Sequence, residues 1–289
     1  MEGFFEALQQ HAFLQNAVLG GILASIGCGI VGTYVVVKRI GFLAGGIAHA
    51  VLGGMGAAYY FGKDPVSGAL AASIFAALVI GWIHLRWRQH EDTLIGAIWA
   101  IGMAIGVIFI SRTPGYTADL MSYLFGNILM VPRGDLLFMA ALDGAIIVVV
   151  ALFSKHFLAI SFDEEYARLR GVPVDALYLL LLCTVAVTVV LLIQVVGLIL
   201  VIALLVLPAA IAAQFVGSLG RIMVLATILG ILFTSGGLAL SYGPDLPAGA
   251  TIILLAGGVY IAATAATGLR RRIAVNRRIA GTSKKEAAP

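Results

Sequence analysis

Residues 38–62 read KRIGFLAGGIAHAVLGGMGAAYYFG. Lys38 and Arg39 open the stretch, and from Ile40 to Ala58 every residue but His49 is apolar or glycine. A run of this length predicts a transmembrane helix, with the two cations at the membrane–water interface. His49 lies ten residues beyond Arg39. At ~1.5 Å per residue that is ~15 Å, half of a ~30 Å hydrocarbon core. An ionisable group at that depth is costly, faces the protein interior and is a functional candidate by default. The plain alternative is a structural histidine bonded to a neighbouring carbonyl or hydroxyl.

The rest of the composition agrees. The 289 residues are 61% hydrophobic and only 11% charged, with mean hydropathy +1.07. Soluble domains carry roughly 25% charged residues, so the chain is expected to be a polytopic membrane protein without a separate soluble domain. Its 35 glycines suit a membrane bundle, where small residues let helix backbones approach closely. Those at 45, 46, 53 and 54 are expected to leave room beside His49 for an ion. The basic pI reflects membrane anchoring; the cations are not interleaved with aromatics as in a nucleic-acid surface. Cys28 and Cys183 lie in apolar runs and read as small hydrophobes. The N-terminal 13 residues lack the basic lead of a cleavable signal peptide.

Taken in order, the chain predicts an all-α bundle of about eight to nine spans: 13–37, 38–62, 66–85, 93–110, 136–153, 177–195, 196–215, 222–240 and 250–269. These form one domain over 1–269, followed by a basic tail, 270–289, expected to be irregular. Pro65 suits the first position of its helix. Trp82 and Trp87 suit an interfacial belt. The apolar part of the long connection, 120–131, is too short to cross and predicts a re-entrant or surface helix. A tight turn is expected near 194–197, and Pro208 is expected to kink or end its helix. Nine spans with the C-terminus inside place fifteen of the eighteen Lys and Arg residues in the cytoplasm, leaving Lys63, Arg112 and Arg133 outside. That bias sets the N-terminus outside.

The loop at about 155–175 is the most informative polar segment. In FDEEYARLRGVP, Asp163, Glu164 and Glu165 favour the start of a short helix, Ala167 and Arg168 continue it, and Gly171 stops it. Such a helix either docks on a cytoplasmic partner or is a solvated loop.

This loop resembles the coupling segment of ABC importer permeases of the large, multi-span kind, where an acidic-x-Ala-x-x-x-Gly pattern engages the ATPase. The chain as a whole is similar to the metal-ion family of such permeases, the ZnuB/MntB/TroC-like proteins for zinc, manganese and iron. The matches are VVVKRIGFLAGGIAHAVLGG, EDTLIGAIWAIGMAIG, ADLMSYLFGNIL, FDEEYARLRGVP, VGLILVIALLVLPAAIAA and LSYGPDLPAGATIIL, in the family's order. The resemblance implies the membrane subunit of an importer for a divalent transition metal in a prokaryotic cytoplasmic membrane. Its implied partners are a second copy of itself, an ATP-binding cassette ATPase dimer and an extracytoplasmic metal-binding protein, within lipid and without nucleic acid. It implies a metal site of an Asp and a His one turn apart on the second span. Here the His is His49 and the Asp position is Gly45, so two imidazoles from a dimer remain, which is few for Zn²⁺ or Mn²⁺. A weak site still suits a conduit, because the ion must leave it.

Asp143 in the fifth span is read either as a compensating ligand or as a carboxylate that pairs with a neighbouring donor or reaches the outer interface by local distortion. His84 and His90 read as interfacial, with a place in metal exit as the alternative, and Asp92 reads as a helix N-terminal carboxylate. Asp245, in GPDLPAG, reads as either a partner-docking outer loop or a plain turn. The chain has no GxxxxGK[ST] loop and hence no ATP site of its own, no permanently bound cofactor is expected, and no hydrolase motif is present. The alternative function is a self-sufficient secondary carrier or channel, which usually shows internal repeats and paired broken helices; none stands out.

Overall fold

The computed structural model describes residues 4–86, 91–113, 126 and 128–286. Among the described residues the chain is all helix, with no strand. The helices are α1 (Phe4–Gln10), α2 (Ala12–Val37), α3 (Gly41–Tyr60), α4 (Pro65–Arg86), α5 (Glu91–Ser111), α6 (Arg133–Phe162), α7 (Glu164–Leu169), α8 (Val174–Val196), α9 (Leu198–Phe215), α10 (Leu219–Tyr242) and α11 (Ala248–Glu286), with a 3-10 turn at Ile128–Met130. Eight of them, α2 to α6 and α9 to α11, are long and apolar enough to cross a membrane. The 23-residue α8 is apolar over Val174–Val190.

Local signals place most boundaries. Pro65 opens α4, and the Asp64 carboxylate accepts from the Ser67 backbone N–H at 2.9 Å. The expected turn falls at Gly197, whose φ of 80° lets α8 stop and α9 start without an intervening loop. Three expectations are corrected. The segment 154–162 is not loop but the last turns of α6, whose 30 residues reach about 45 Å, well beyond the bilayer core. Pro208 does not end its helix, because α9 continues to Phe215. The basic tail continues α11 as helix to Glu286, where irregular chain was expected. Most of the 120–131 segment and Trp87 lie outside the described residues.

The helices pack in two groups. In one, α3 lies against α5 and α4. In the other, α2 lies against α6, α8, α9 and α10, with α11 closing on α9 and α10. Helix α8 joins the groups, touching α4 and α3 as well as α2 and α6. Two buried hydroxyls of α2 are satisfied within their own helix: Ser25 donates to the Gly21 carbonyl at 2.6 Å and Thr33 to that of Gly29 at 2.7 Å. Glycines set the spacing. A Cβ on Gly32 of α2 would collide with the carbonyl oxygen of Leu205 in α9. Backbone cannot retreat as a side-chain tip can. Gly32→Ala is therefore expected to cost about 2–3 kcal/mol, read as a lowered Tm in detergent; an unchanged Tm would show that the α2–α9 contact is loose.

Candidate functional site

The site begins with the approach of α3 and α5. A Cβ on Gly53 would stand 2.8 Å from the carbonyl oxygen of Gly102, and one on Gly56 would stand 2.8 Å from that of Gly106. Glycine on both helices lets them touch backbone to backbone. That contact lays Trp99 of α5 flat against His49 of α3, ring centroids 4.0 Å apart and planes at 11°. The Trp99 indole N–H points to Met103 Sδ at 3.1 Å. His49 is only 8% exposed, and its Nδ1 is buried with no hydrogen-bond partner. A structural histidine would have one, since leaving a buried polar atom unsatisfied costs about 1–3 kcal/mol. The orphaned nitrogen favours the functional reading.

The glycines around His49 need correcting. Gly46 is filled by Ile95, Gly53 by the backbone of Gly102, and Gly54 by Gly68 and Ala72. They bring α4 and α5 close and open no passage. Gly45 alone of the four has space: a Cβ there would meet only Trp99 Cζ3, at 3.9 Å. A carboxylate at position 45 is therefore sterically admissible one turn from His49. Among the described residues no three His, Cys, Asp or Glu side chains come together, so one copy of the chain does not supply a full ligand set.

Asp143 belongs to a different place. It is buried on α6 in the other helix group, where its Oδ1 occupies the space of the side chain Gly27 lacks, and its Oδ2 has no hydrogen-bond partner. The structure does not bring it beside His49, and it does not find the paired donor expected for Oδ2. His84 stacks on Tyr178 of α8, centroids 4.6 Å apart, which is a packing role. His90 lies outside the described residues. Asp245 has a left-handed backbone, φ 56°, and sits where Leu246 N–H closes back on the Ser241 carbonyl at 3.0 Å. Its local role is to end α10, as Asp tolerates that conformation.

The second part of the site is α7. The Asp163 carboxylate caps it, accepting from Tyr166 N–H at 2.9 Å. Ala167 is buried against the bundle and Glu164 is half-buried, while Glu165, Tyr166, Arg168 and Leu169 are exposed. Gly171 stops the helix with φ 77° and has open space around it. Arg168 pairs with Asp175 at 2.6 Å, and that hydrogen-bonded carboxylate raises the guanidinium's pKa further. Arg170 donates twice to the Tyr166 hydroxyl, at 3.0 and 2.6 Å. Glu165 is exposed, and Leu169 is 87% exposed. Trp99, Tyr166 and Leu169 escape sequence reading. Their residue types are ordinary in these runs, and only helix placement shows what each faces.

A many-span bundle with an imidazole at mid-depth and a short polar helix between two spans is the architecture of a transport permease. Residues 10–267 match the model of the ABC 3 transport family, and the chain belongs to that family. It is similar to a probable metal transport system membrane protein of Chlamydia trachomatis, 44% identical over 84% of this chain and 85% of that one. It is also similar to the manganese transport system membrane protein MntC of Listeria monocytogenes, 36% identical over 88% and 90%. Among solved structures, PsaBC from Streptococcus pneumoniae in complex with Fab superposes with TM-score 0.81 at 32% identity, covering 90% of this chain and 94% of that chain. The protein is thus a multi-pass membrane permease of ABC-type metal transport.

Proposed function

We propose that the chain forms the transmembrane path of an importer that carries a divalent transition metal, Zn²⁺, Mn²⁺ or Fe²⁺, into the cytoplasm. The observation that carries this reading is the buried His49 imidazole with its unpartnered Nδ1. Two copies related by a twofold axis each offer one imidazole, and the ion completes its shell with water. Because His49 lies flat on Trp99, the stack fixes the plane of the imidazole and with it the direction of the in-plane nitrogen lone pair that would meet the ion. An extracytoplasmic metal-binding protein delivers the ion. A separate ATPase dimer docks on α7, hydrolyses ATP and drives the alternation; this chain supplies the path. The test is metal uptake by proteoliposomes holding the permease and its ATPase, with Mn²⁺, Zn²⁺ and Fe²⁺ in competition. Manganese comes first because the Listeria relative is named for it. Absence of ATP-dependent uptake of all three sinks the reading.

With α8 counted as a ninth crossing beside the eight, the same reading sets the N-terminus outside and the C-terminus in the cytoplasm of a prokaryotic cell, on the charge bias. On a background lacking Cys28 and Cys183, a cysteine at Lys63 or Asp245 is expected to react with an impermeant thiol reagent in intact cells, and one at Lys155 is not. The opposite labelling pattern reverses the topology.

A further inference from the structure

Lys38 was expected to be an interfacial anchor, reaching to water. Instead its side chain is 6% exposed. Its ammonium donates to the carbonyl of Ile160 at 2.6 Å, pairs with Glu164 Oε1 at 2.7 Å, and stands 5.2 Å from the centre of the Tyr178 ring. One cation thereby gathers the end of α6, the first residue of α7 and the first turns of α8. Its own backbone caps α2, with N–H to the Tyr34 carbonyl at 2.9 Å. The chain then reverses at Arg39, whose φ is 60°, and Ile40 N–H closes on the Val35 carbonyl at 2.9 Å. This is a Schellman-type ending, and α3, the His49 helix, starts directly after it.

Exposed ion pairs hold little, because water and entropy compete. A buried ammonium with a carboxylate, a backbone carbonyl and an aromatic face is different, because breaking any of these contacts leaves a charge stranded out of water. A displacement of α7 must therefore either strand the Lys38 charge or take Lys38 with it. Lys38 is three residues before Gly41, where α3 starts, through a short closed turn that has little slack. Packing offers a second route, because α7 rests on α6 and α8 and α8 touches α3, but the Lys38 link adds a buried charge that joins α7 to the turn before α3.

We propose that Lys38 is a positioning residue that ties α7 to the α2–α3 turn, so that movement of α7 is passed to the helix carrying His49. This rests on the reading of α7 as the ATPase-docking helix. The experiment uses the full permease with its ATPase in proteoliposomes. It measures three quantities: ATPase retained on the permease, ATP hydrolysed, and metal transported per ATP. Lys38→Met keeps the aliphatic stem and removes the charge. It is expected to retain the ATPase and its hydrolysis while metal moved per ATP falls about tenfold or more. Lys38→Arg, which can reach the same acceptors with a fork of donors, is expected to recover most of the ratio. Glu164→Gln is the milder second variant, with an intermediate loss. Combining it with Lys38→Met is expected to add little, since the two act through one contact. An unchanged ratio in Lys38→Met overturns the proposal, as does a loss of ATPase binding and Tm in step with transport that Lys38→Arg does not rescue. Additive losses in the double variant overturn it too. Leu169→Asp separates this from the docking reading. If that variant still binds the ATPase normally, the docking role of α7 fails and the Lys38 link falls with it. If it releases the ATPase while Lys38→Met stays fully coupled, only the link fails.

Discussion

A permease carrying His49→Ala is expected to lose metal uptake by roughly 100-fold, since weakening even the supporting shell of a metal ligand costs about 10–100-fold. The imidazole is buried midway along its helix, where a polar group needs an interior reason to exist. Its Nδ1 has no protein partner to compensate for being out of water, so the substitution removes the group that the ion would satisfy. The fold should tolerate the change. His49 loses a stacked contact with Trp99 and leaves a small cavity, together about 1–2 kcal/mol, seen as a modest drop in Tm. Uptake and Tm are therefore measured together. Normal uptake in a folded His49→Ala protein removes His49 from the path. The complementary variant is Gly45→Asp. Position 45 has room for a side chain beside Trp99, and its carboxylate would stand one turn from His49. Metal bound per permease is expected to rise and release to slow. Unchanged occupancy would mean that position 45 does not face the ion.

Leu169→Asp is expected to release the ATPase while the membrane domain stays folded. Leu169 is 87% exposed, so a charge there disturbs no packing within the chain. At a docking surface the same change strands a carboxylate in the centre of an apolar contact, worth roughly 2 kcal/mol or about thirtyfold in affinity. Two further variants reach the same element by other routes. Glu165→Lys reverses an exposed charge in the first turn of α7. Gly171→Pro forces φ from 77° to about −65° and removes the N–H that bonds the Arg168 carbonyl, so the exit from α7 is re-aimed. All three should abolish uptake, with ATPase co-purification and Tm as the readouts. If they bind the ATPase and transport as wild type does, α7 is only a solvated loop helix.

Much of the fold was legible in the chain because its signals are local. Apolar runs bounded by charge, Pro65 at a helix start, Gly171 at a helix stop and Gly197 between two spans each act within a few residues. The acidic start of α7 is of the same kind, and Asp163 does cap it. The reading failed where the local signal was ambiguous. Ser154, Lys155 and His156 looked like loop, yet they prolong α6 beyond the bilayer, where polar side chains cost a helix nothing. Pro208 was open to a kink or a stop, and α9 runs through it, as membrane helices tolerate when neighbours re-satisfy the backbone.

Side-chain partners were a different matter. In a soluble helix the apolar stripe tells which face is buried. These helices are apolar all round, since lipid and protein interior are equally apolar, so periodicity does not mark the packed face. That His49 meets Trp99, that Gly46, Gly53 and Gly54 close against α4 and α5, and that Asp143 sits with Gly27 in the other helix group are consequences of how the helices assemble. The same holds for Lys38. Its sequence context is that of any cation at a membrane surface. Its burial comes from Ile160, Glu164 and Tyr178, which are more than a hundred residues further along the chain. Residue order placed most of the apolar helices, the polar helix between two of them and His49 midway along its own helix. The partners of His49, Asp143 and Lys38 depended on long-range packing, because no short-range property of an apolar helix says which neighbour it will meet.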